Sequence, residues 1–336
     1  MRIVGVDGGQ SSTRCLVVDE RGHVLGHGRG GPSNHLRGER GTARLRQALA
    51  TVFAAAIPGE VHPEVAGICL GMTGVTRGEQ TQQIVEEIVR EYVSPEHVCV
   101  CGDMSIALAG AAVLGPGVLV YAGTGANTYG VDESGREVRV GGWGYLIDDE
   151  GAGYDLGRQA LKWVFRAEDG RGRSTLLREK LLAHFGCATL SDLRCKVYEG
   201  DGLPRPEIAT LARLVGEAAA EGDAVAQSIL ALAGQTLAET AVTAIRKLGK
   251  QDQAITVYPA GGVFGAGSWI MKPFTTALRS GAPHARGASP RFPPVAGAVF
   301  LVLRMLGINL DERFLDRLSQ GLEEIGWMNC KSESPR

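Results

Sequence analysis

Residues 5–13 read Gly5-Val6-Asp7-Gly8-Gly9-Gln10-Ser11-Ser12-Thr13, and their order separates the fold classes open to this chain. A strand-like run over 2–6 ends in a carboxylate, then two glycines, then three hydroxyls. Residues 14–19 read as a second strand, Glu20-Arg21-Gly22 as a hairpin connection, and 23–28 as a third strand. Three consecutive strands differ from a β-α-β dinucleotide unit. No G-x-x-x-x-G-K-[ST] is present, and no G-x-G-x-x-G opens a helix after a first strand, so P-loop and Rossmann readings fail. Two readings of the turn stay open. It is a plain Asp-Gly hairpin, or its N–H groups cradle phosphate oxygens while Asp7 holds Mg²⁺ directly or through water.

Outward from this turn, a loop over 30–37 leads to an amphipathic helix over 42–56. A buried strand (65–70), a helix (79–91), a short strand (97–101) and a helix after Asp103 follow. The order is β-β-β-α-β-α-β-α. From Gly117 the theme restarts, with a strand over 118–121, a tight turn at Gly123-Thr124-Gly125, a strand over 127–131 and a turn at 132–136. Helices fill much of 153–249, a strand over 255–258 ends in Pro259-Ala260-Gly261-Gly262, and a helix starts near Ser268. This is an architectural echo. Gly115-Pro116-Gly117 marks the boundary, giving domains 1–115 and 116–336, with the last helix packing back on the first.

The 48 glycines cluster beside strand-like runs, the pattern of several loops converging on one bound molecule. A chain of 336 residues, 44% hydrophobic and 21% charged, is long enough for two buried cores. The net charge of −2, without a basic block, argues against a nucleic-acid partner. The longest apolar stretch, 295–303, is too short to span a membrane, and the chain opens on a strand rather than a leader, so a cytoplasmic protein without a membrane partner is expected. Seven scattered cysteines are not a disulfide framework. Cys99 and Cys101 are expected to point to opposite faces of their strand and to act as small buried hydrophobes, with no second Cys/His pair at zinc-ligand spacing.

Four further segments carry chemistry, each with a plainer alternative. Tyr121-Ala122-Gly123-Thr124-Gly125-Ala126-Asn127 repeats the strand and Gly-hydroxyl-Gly theme, so that two phosphate turns face each other across a cleft, or two unrelated turns happen to look alike. Asp103 ends a strand and opens a helix. It is an N-cap, or a base at the carboxyl edge where α/β sheets place ligands. Gly141-Gly142-Trp143-Gly144-Tyr145-Leu146-Ile147-Asp148-Asp149-Glu150-Gly151 offers close backbone approach, an apolar ring face and a carboxylate able to accept from two sugar hydroxyls. Its alternative is a surface loop leading into an acid-rich helix start. Asn34-His35 is turn chemistry unless its loop faces the cleft.

In their order these segments resemble N-acetylglucosamine kinases of the BadF/BadG/BcrA/BcrD ATPase family, within the sugar kinase, Hsp70 and actin superfamily. The resemblance covers residues 2 to about 305, and the Gly-Gly-Trp-Gly…Asp-Glu-Gly block is its most specific part. It implies a two-domain α/β actin-like ATPase (ribonuclease H-like) fold, each domain a mixed sheet flanked by helices, with an interdomain cleft. It implies ATP and Mg²⁺ as cofactors, Asp7 at the metal, and Gly8, Gly9, Ser11, Thr13, Thr124 and Gly125 at the phosphates. Gly261, Gly262, Gly265 and Ala219 would meet the adenosine. Asn34, Asp103, Asn127, Gly142, Trp143, Gly144 and Asp149 would hold the sugar, with Asp103 taking the proton of its 6-hydroxyl. N-acetylglucosamine leads as acceptor, ahead of glucosamine, N-acetylmuramic acid and glucose, and the resemblance also points to a homodimer. Two departures stand out: Gly-Gly-Gln-Ser-Ser-Thr replaces a third Gly followed by Thr, and Asp148 adds an acid beside Asp149. The same family includes ATPases that activate radical dehydratases, which need a Cys in a Cys-Ala-Ala-Gly-Thr-Gly-like segment; here Tyr121 opens that segment. A non-catalytic sugar or nucleotide sensor is the third alternative, and it would leave Asp103 without a task.

Overall fold

The computed structural model describes residues 1–33, 38–75 and 80–328. The chain packs as two units: Met1–Pro116 with the described residues from Ser289 on, and Gly117–Ala288.

The first unit runs β1 (Ile3–Gly8), β2 (Thr13–Val18), β3 (Val24–Gly30), α1 (Gly38–Ala56), β4 (Glu64–Met72), α2 (Gln80–Val89), β5 (Ser94–Gly102) and α3 (Asp103–Ala112). This is the expected element order, with somewhat different bounds. The second unit runs β6 (Gly117–Ala122), β7 (Ala126–Val131), β8 (Glu137–Gly141), α4 (Gly153–Glu168), α5 (Leu177–Phe185), α6 (Leu190–Tyr198), α7 (Arg205–Thr210), α8 (Ala212–Ala220) and α9 (Ala224–Lys247). It continues through β9 (Ile255–Ala260), a 3-10 turn (Gly262–Ala266), α10 (Ser268–Gly281) and β10 (Ala285–Gly287). Two last helices, α11 (Pro294–Met305) and α12 (Glu312–Glu324), belong to the first unit.

Each unit is built on a five-stranded mixed sheet, ordered β3-β2-β1-β4-β5 in the first and β10-β9-β6-β7-β8 in the second. In both, an antiparallel pair made by a glycine turn (β1–β2, β6–β7) adjoins a parallel partner (β4 or β9). Loops that follow the parallel strands therefore open at the same sheet end as the glycine turns.

Strand β1 is apolar almost throughout because both of its faces are covered. Val4 and Val6 pack with Leu45, Leu49 and Val52 of α1, while Ile3 packs with Leu16 and Val18 against Val299 and Phe300 of α11. Helix α11 approaches closely: a Cβ at Gly5 would lie 2.5 Å from the Val295 carbonyl oxygen, and one at Gly297 would lie 1.9 Å from that of Ile106. This packing corrects the expected second domain of 116–336. The apolar stretch at 295–303 is a core helix of the first unit, and the chain joins that unit from Ser289, ahead of the last helix.

In the second unit α9 is long and apolar enough, by length and composition, to cross a membrane. Half of that window is buried, and its Gly234 lets α10 approach until a Cβ there would sit 2.4 Å from the Ile270 carbonyl. It is the unit's core helix. Strands β8 and β10 were not expected; five and three residues with few apolar side chains give little periodic signal.

One expectation about cysteines is overturned. Cys99 and Cys101 do not point to opposite faces of β5, because side chains two apart on a strand share a face. Both lie on the α11 side with Cys69 of β4.

Candidate active-site loops

In the first unit the β1–β2 register pairs Asp7 with Arg14 and Gly8 with Thr13. The Gly9 N–H donates to the Ser12 carbonyl at 3.0 Å and closes the turn. A Cβ at Gly8 would meet Met72 Sδ at 2.3 Å and Ser33 Oγ at 2.7 Å, so only glycine lets the turn lie against the end of β4. The three hydroxyls separate sharply. Thr13 is fully buried, donates to the Gly31 carbonyl at 2.8 Å and lies 2.9 Å from the Ser33 hydroxyl, whereas Ser11 is exposed. Thr13 therefore pins the turn from inside, and Ser11 is the hydroxyl that faces outward. Asn34, the expected sugar contact from the following loop, lies outside the described residues.

Asp103 is the first residue of α3; the N-cap position falls to Gly102, which has no side chain to cap with. The Asp103 carboxylate is nonetheless tightly held. Oδ1 accepts the Met104 N–H at 2.9 Å, and Oδ2 accepts the Thr73 hydroxyl at 2.7 Å. Each oxygen keeps a further lone pair for a ligand. Thr73 was not singled out from the sequence. The usable signal was topological, since it follows β4, whose Met72 pairs with Gly102 just before Asp103.

Asp7 sits at the end of β1, and burial pushes its carboxyl up to about 7, helped by repulsion from Asp103 and opposed by Arg14. A carboxyl raised by burial and by the charge of a neighbouring acid suits a divalent cation, whose charge would reverse that effect. Their hard oxygen donors fit Mg²⁺.

In the second unit the turn from β6 to β7 is closed by the Gly123 N–H donating to Gly125 at 2.9 Å. The first N–H groups of α4 brace it: Gly153 donates to the Gly123 carbonyl at 2.8 Å and Tyr154 to the Thr124 carbonyl at 3.2 Å. Asp149, 5% exposed, reaches the same turn, its Oδ1 accepting the Ala126 N–H at 3.1 Å and its Oδ2 the Arg205 guanidinium at 2.9 Å. Burial raises the Asp149 carboxyl above its ordinary range; the Ala126 N–H and Arg205 pull it down, and Asp148 adds to the rise. Its backbone is left-handed at φ 65°, a conformation that non-glycine residues adopt mainly where the surroundings force it.

Arg205 is a second residue the sequence did not reveal, because it lies 56 residues beyond its partner. Its guanidinium also stacks on Tyr145, 5.0 Å from the ring centre. A Cβ at Gly125 would fall 2.6 Å from Arg205 Nη2 and 2.7 Å from Asp149 Oδ2, so this turn, acid and arginine form one packed group. Asn127 lies against the Gly142 backbone, and its Oδ1 is buried without a hydrogen-bond partner, as is Arg205 Nε. Unpaired buried polar atoms are rare and costly unless a ligand or water completes them.

The loop that follows is shaped by Asp148, whose Oδ2 accepts the Trp143 N–H at 2.9 Å while its own N–H donates to Gly144 at 2.8 Å. The extra acid is thus a loop brace. Gly142 and Gly144 have φ of 78° and 100°, which an L side chain rarely adopts. Trp143 projects from the loop at 77% exposure.

Gly261 lies against the end of β6: a Cβ there would be 2.3 Å from the Ala122 carbonyl oxygen. The turn after β9 is therefore adjacent to the β6–β7 turn. Gly262 and Gly265 are exposed in the 3-10 turn that follows. Ala219 does not fit its expected role through its side chain, since it is fully buried with Val215 and Ala218 on the core face of α8. Gly216, one helical turn earlier in α8, comes close to the 3-10 turn, its Cβ position 4.0 Å from Ala266 Cβ.

The chain matches the model of the BadF/BadG/BcrA/BcrD ATPase family over residues 4–301. It is 31% identical over 300 residues to the N-acetylmuramic acid/N-acetylglucosamine kinase of Clostridium acetobutylicum, covering 89% of this chain and 97% of that one. It is 30% identical over 312 residues to the N-acetyl-D-glucosamine kinase of Dictyostelium discoideum, with the same coverage of 89% and 97%. Among solved structures, a protein of Chromobacterium violaceum described as a candidate N-acetylglucosamine kinase superposes with a TM-score of 0.69 at 27% identity, covering 90% of this chain and 98% of that one.

Proposed function

This chain belongs to the BadF/BadG/BcrA/BcrD ATPase family, and we propose that it is an ATP-dependent sugar kinase acting on the 6-hydroxyl of an amino sugar. N-acetylglucosamine is the first candidate acceptor, and N-acetylmuramic acid, glucosamine and glucose follow. The observation that carries the reading is Asp103, a carboxylate fixed by the Thr73 hydroxyl and the Met104 N–H at the carboxyl end of a sheet strand, with lone pairs to spare.

In this reading Asp103 takes the proton of the sugar hydroxyl as its oxygen attacks the γ-phosphorus. Thr73 and Met104 hold the carboxylate so that the accepting lone pair is aimed before the sugar arrives. Gly8, Gly9 and Ser11 in the first unit, and Thr124 and Gly125 in the second, donate to phosphate oxygens. Asp7 would hold Mg²⁺, which when bound neutralises charge on those oxygens. Gly261, Gly262 and Gly265 lie toward the adenosine. Asn127, Gly142, Trp143, Gly144 and Asp149 hold the sugar; the unpaired Asn127 Oδ1 suits a sugar hydroxyl or amide N–H, and Asp149 accepts from hydroxyls.

The test is ADP release with each of the four sugars in the presence of Mg²⁺, with the product's phosphate located by NMR. Amino-sugar-dependent release giving a 6-phosphate is expected. ADP release that no sugar accelerates would discard the reading.

A further inference from the structure

The parallel ladder between β4 and β5 sets Cys69 opposite Cys99 and Gly71 opposite Cys101. All four residues share the face covered by α11 and α3. The result is three thiols in one place: the Sγ atoms of Cys69, Cys99 and Cys101 lie within 4.8 Å of one another, and Cys69 and Cys101 are 3.9 Å apart. Cys69 and Cys101 are buried, while Cys99 is partly exposed on β5, an edge strand of its sheet. The cluster is thus reachable from the sheet edge.

Spacing separates the chemistries open to such a group. All three are unoxidised thiols in this structure. Thiolate–metal bonds of about 2.3 Å put the sulfurs around one ion about 3.8 Å apart in a tetrahedral site and about 4.0 Å apart in a trigonal one. The 3.9 Å pair matches this spacing, and the third sulfur needs to close by less than 1 Å. Soft sulfur donors select soft cations and reject Mg²⁺, which takes oxygen.

We propose that Cys69, Cys99 and Cys101 form a three-sulfur site for one soft, thiophilic d10 cation, and that an ion held there slows turnover by displacing Asp103. The second clause rests on the kinase reading above; the first does not. Asp103 follows Cys101 by two residues, and its partner Thr73 follows Cys69 by four, so drawing the sulfurs together pulls on both strands just beneath the hydrogen-bonded Thr73–Asp103 pair. Binding a divalent ion exchanges three S–H protons, released to solvent, for three metal–sulfur bonds and leaves a net charge of −1 on the site. Affinity must therefore climb steeply as pH rises.

Cd²⁺ is the probe, added to the full-length protein while sulfur-to-metal charge-transfer absorption, bound metal by equilibrium dialysis and ADP release are followed. About one Cd²⁺ per chain is expected with a charge-transfer band, with affinity rising more than tenfold per pH unit. Turnover should fall in step with binding. Cys69→Ala should lose both band and inhibition while keeping metal-free turnover, and Cys99→Ser, on the edge strand, serves the same purpose if Cys69→Ala does not fold. Cys195→Ala, outside the cluster, should behave as the wild type. No band, or a band that survives in Cys69→Ala and Cys99→Ser, overturns the site. A band without loss of turnover overturns the link to Asp103.

Discussion

The glycine turn of the first unit (8–13) and that of the second (123–125) carry the same sequence theme, but they are held in different ways. The first is crowded by side chains, Met72 and Ser33, and pinned from within by Thr13. The second is crowded by a fixed ion pair, Asp149–Arg205, and lies beside Gly261, which is itself crowded by backbone. The first turn also sits in a corner of mutually repelling carboxylates, Asp7 and Asp103, while in the second the acid has its cation. Side chains can yield to a new methyl group; backbone cannot. The first turn is thus electrostatically unsatisfied, whereas the second has its acid paired and abuts a glycine walled in by backbone.

The sharpest break of this contrast is Gly261→Ala against Gly9→Ala. At Gly261 φ is 97° and ψ 163°, a region open essentially to glycine alone, and the new Cβ would meet the Ala122 carbonyl at 2.3 Å. A stability loss of about 3 kcal/mol or more is expected in urea unfolding. At Gly9 the new Cβ would meet the Ser12 carbonyl oxygen at 3.3 Å, a tight contact but without a positive φ; a smaller loss of about 1 kcal/mol is expected there.

The electrostatic half is tested by Asp7→Asn in the protein free of nucleotide and metal. Asp7 binds its proton up to pH about 7 in the folded chain, against an ordinary 3.8. Between those values the folded state holds more protons than the unfolded one, so stability falls as pH rises through the window and the loss is complete above it. Asp7→Asn should flatten that fall and raise the thermal midpoint at pH 8, with little change at pH 4. A parallel pH dependence in the variant would contradict the repelled pair.

Arg205→Met removes the cation from the second turn. The Asp149 carboxyl, already raised by burial, would rise further, so sugar affinity that needs its ionised form would fail at a higher pH than in the wild type. KM for the sugar should rise about tenfold at pH 6 and less at pH 8, with kcat little changed and Arg205→Lys partly restoring the wild-type profile. A uniform rise at both pH values would assign Arg205 to packing alone. Thr13→Val leaves the buried Ser33 hydroxyl short of a partner. It should lower stability by about 1–3 kcal/mol while leaving KM for ATP unchanged, and a raised KM would return Thr13 to the phosphates.

The element order through Asp103 was legible because strand and helix periods there are long and unmixed, and the repeated glycine turn pointed to the second sheet. Strands β8 and β10 were too short to register, and the 295–303 stretch read only as apolar, with nothing to show which unit it joins. At the candidate site, positions fixed by local chain geometry were readable: Asp7, Gly8, Asp103 and Gly142 stand where strands end or the chain turns. Thr73 and Arg205 were not, because their roles arise from contacts 30 and 56 residues away along the chain. The cysteines failed differently, since the two-residue strand period places Cys99 and Cys101 together and Cys69 joins only through strand pairing.

Asp103, held by Thr73 and Met104, is proposed as the base of a sugar kinase. Steady-state kinetics of Asp103→Asn with ATP and N-acetylglucosamine tests it most directly. A kcat lower by roughly 10²–10⁴-fold is expected, with KM for ATP little altered. Near-normal turnover in that variant would contradict it.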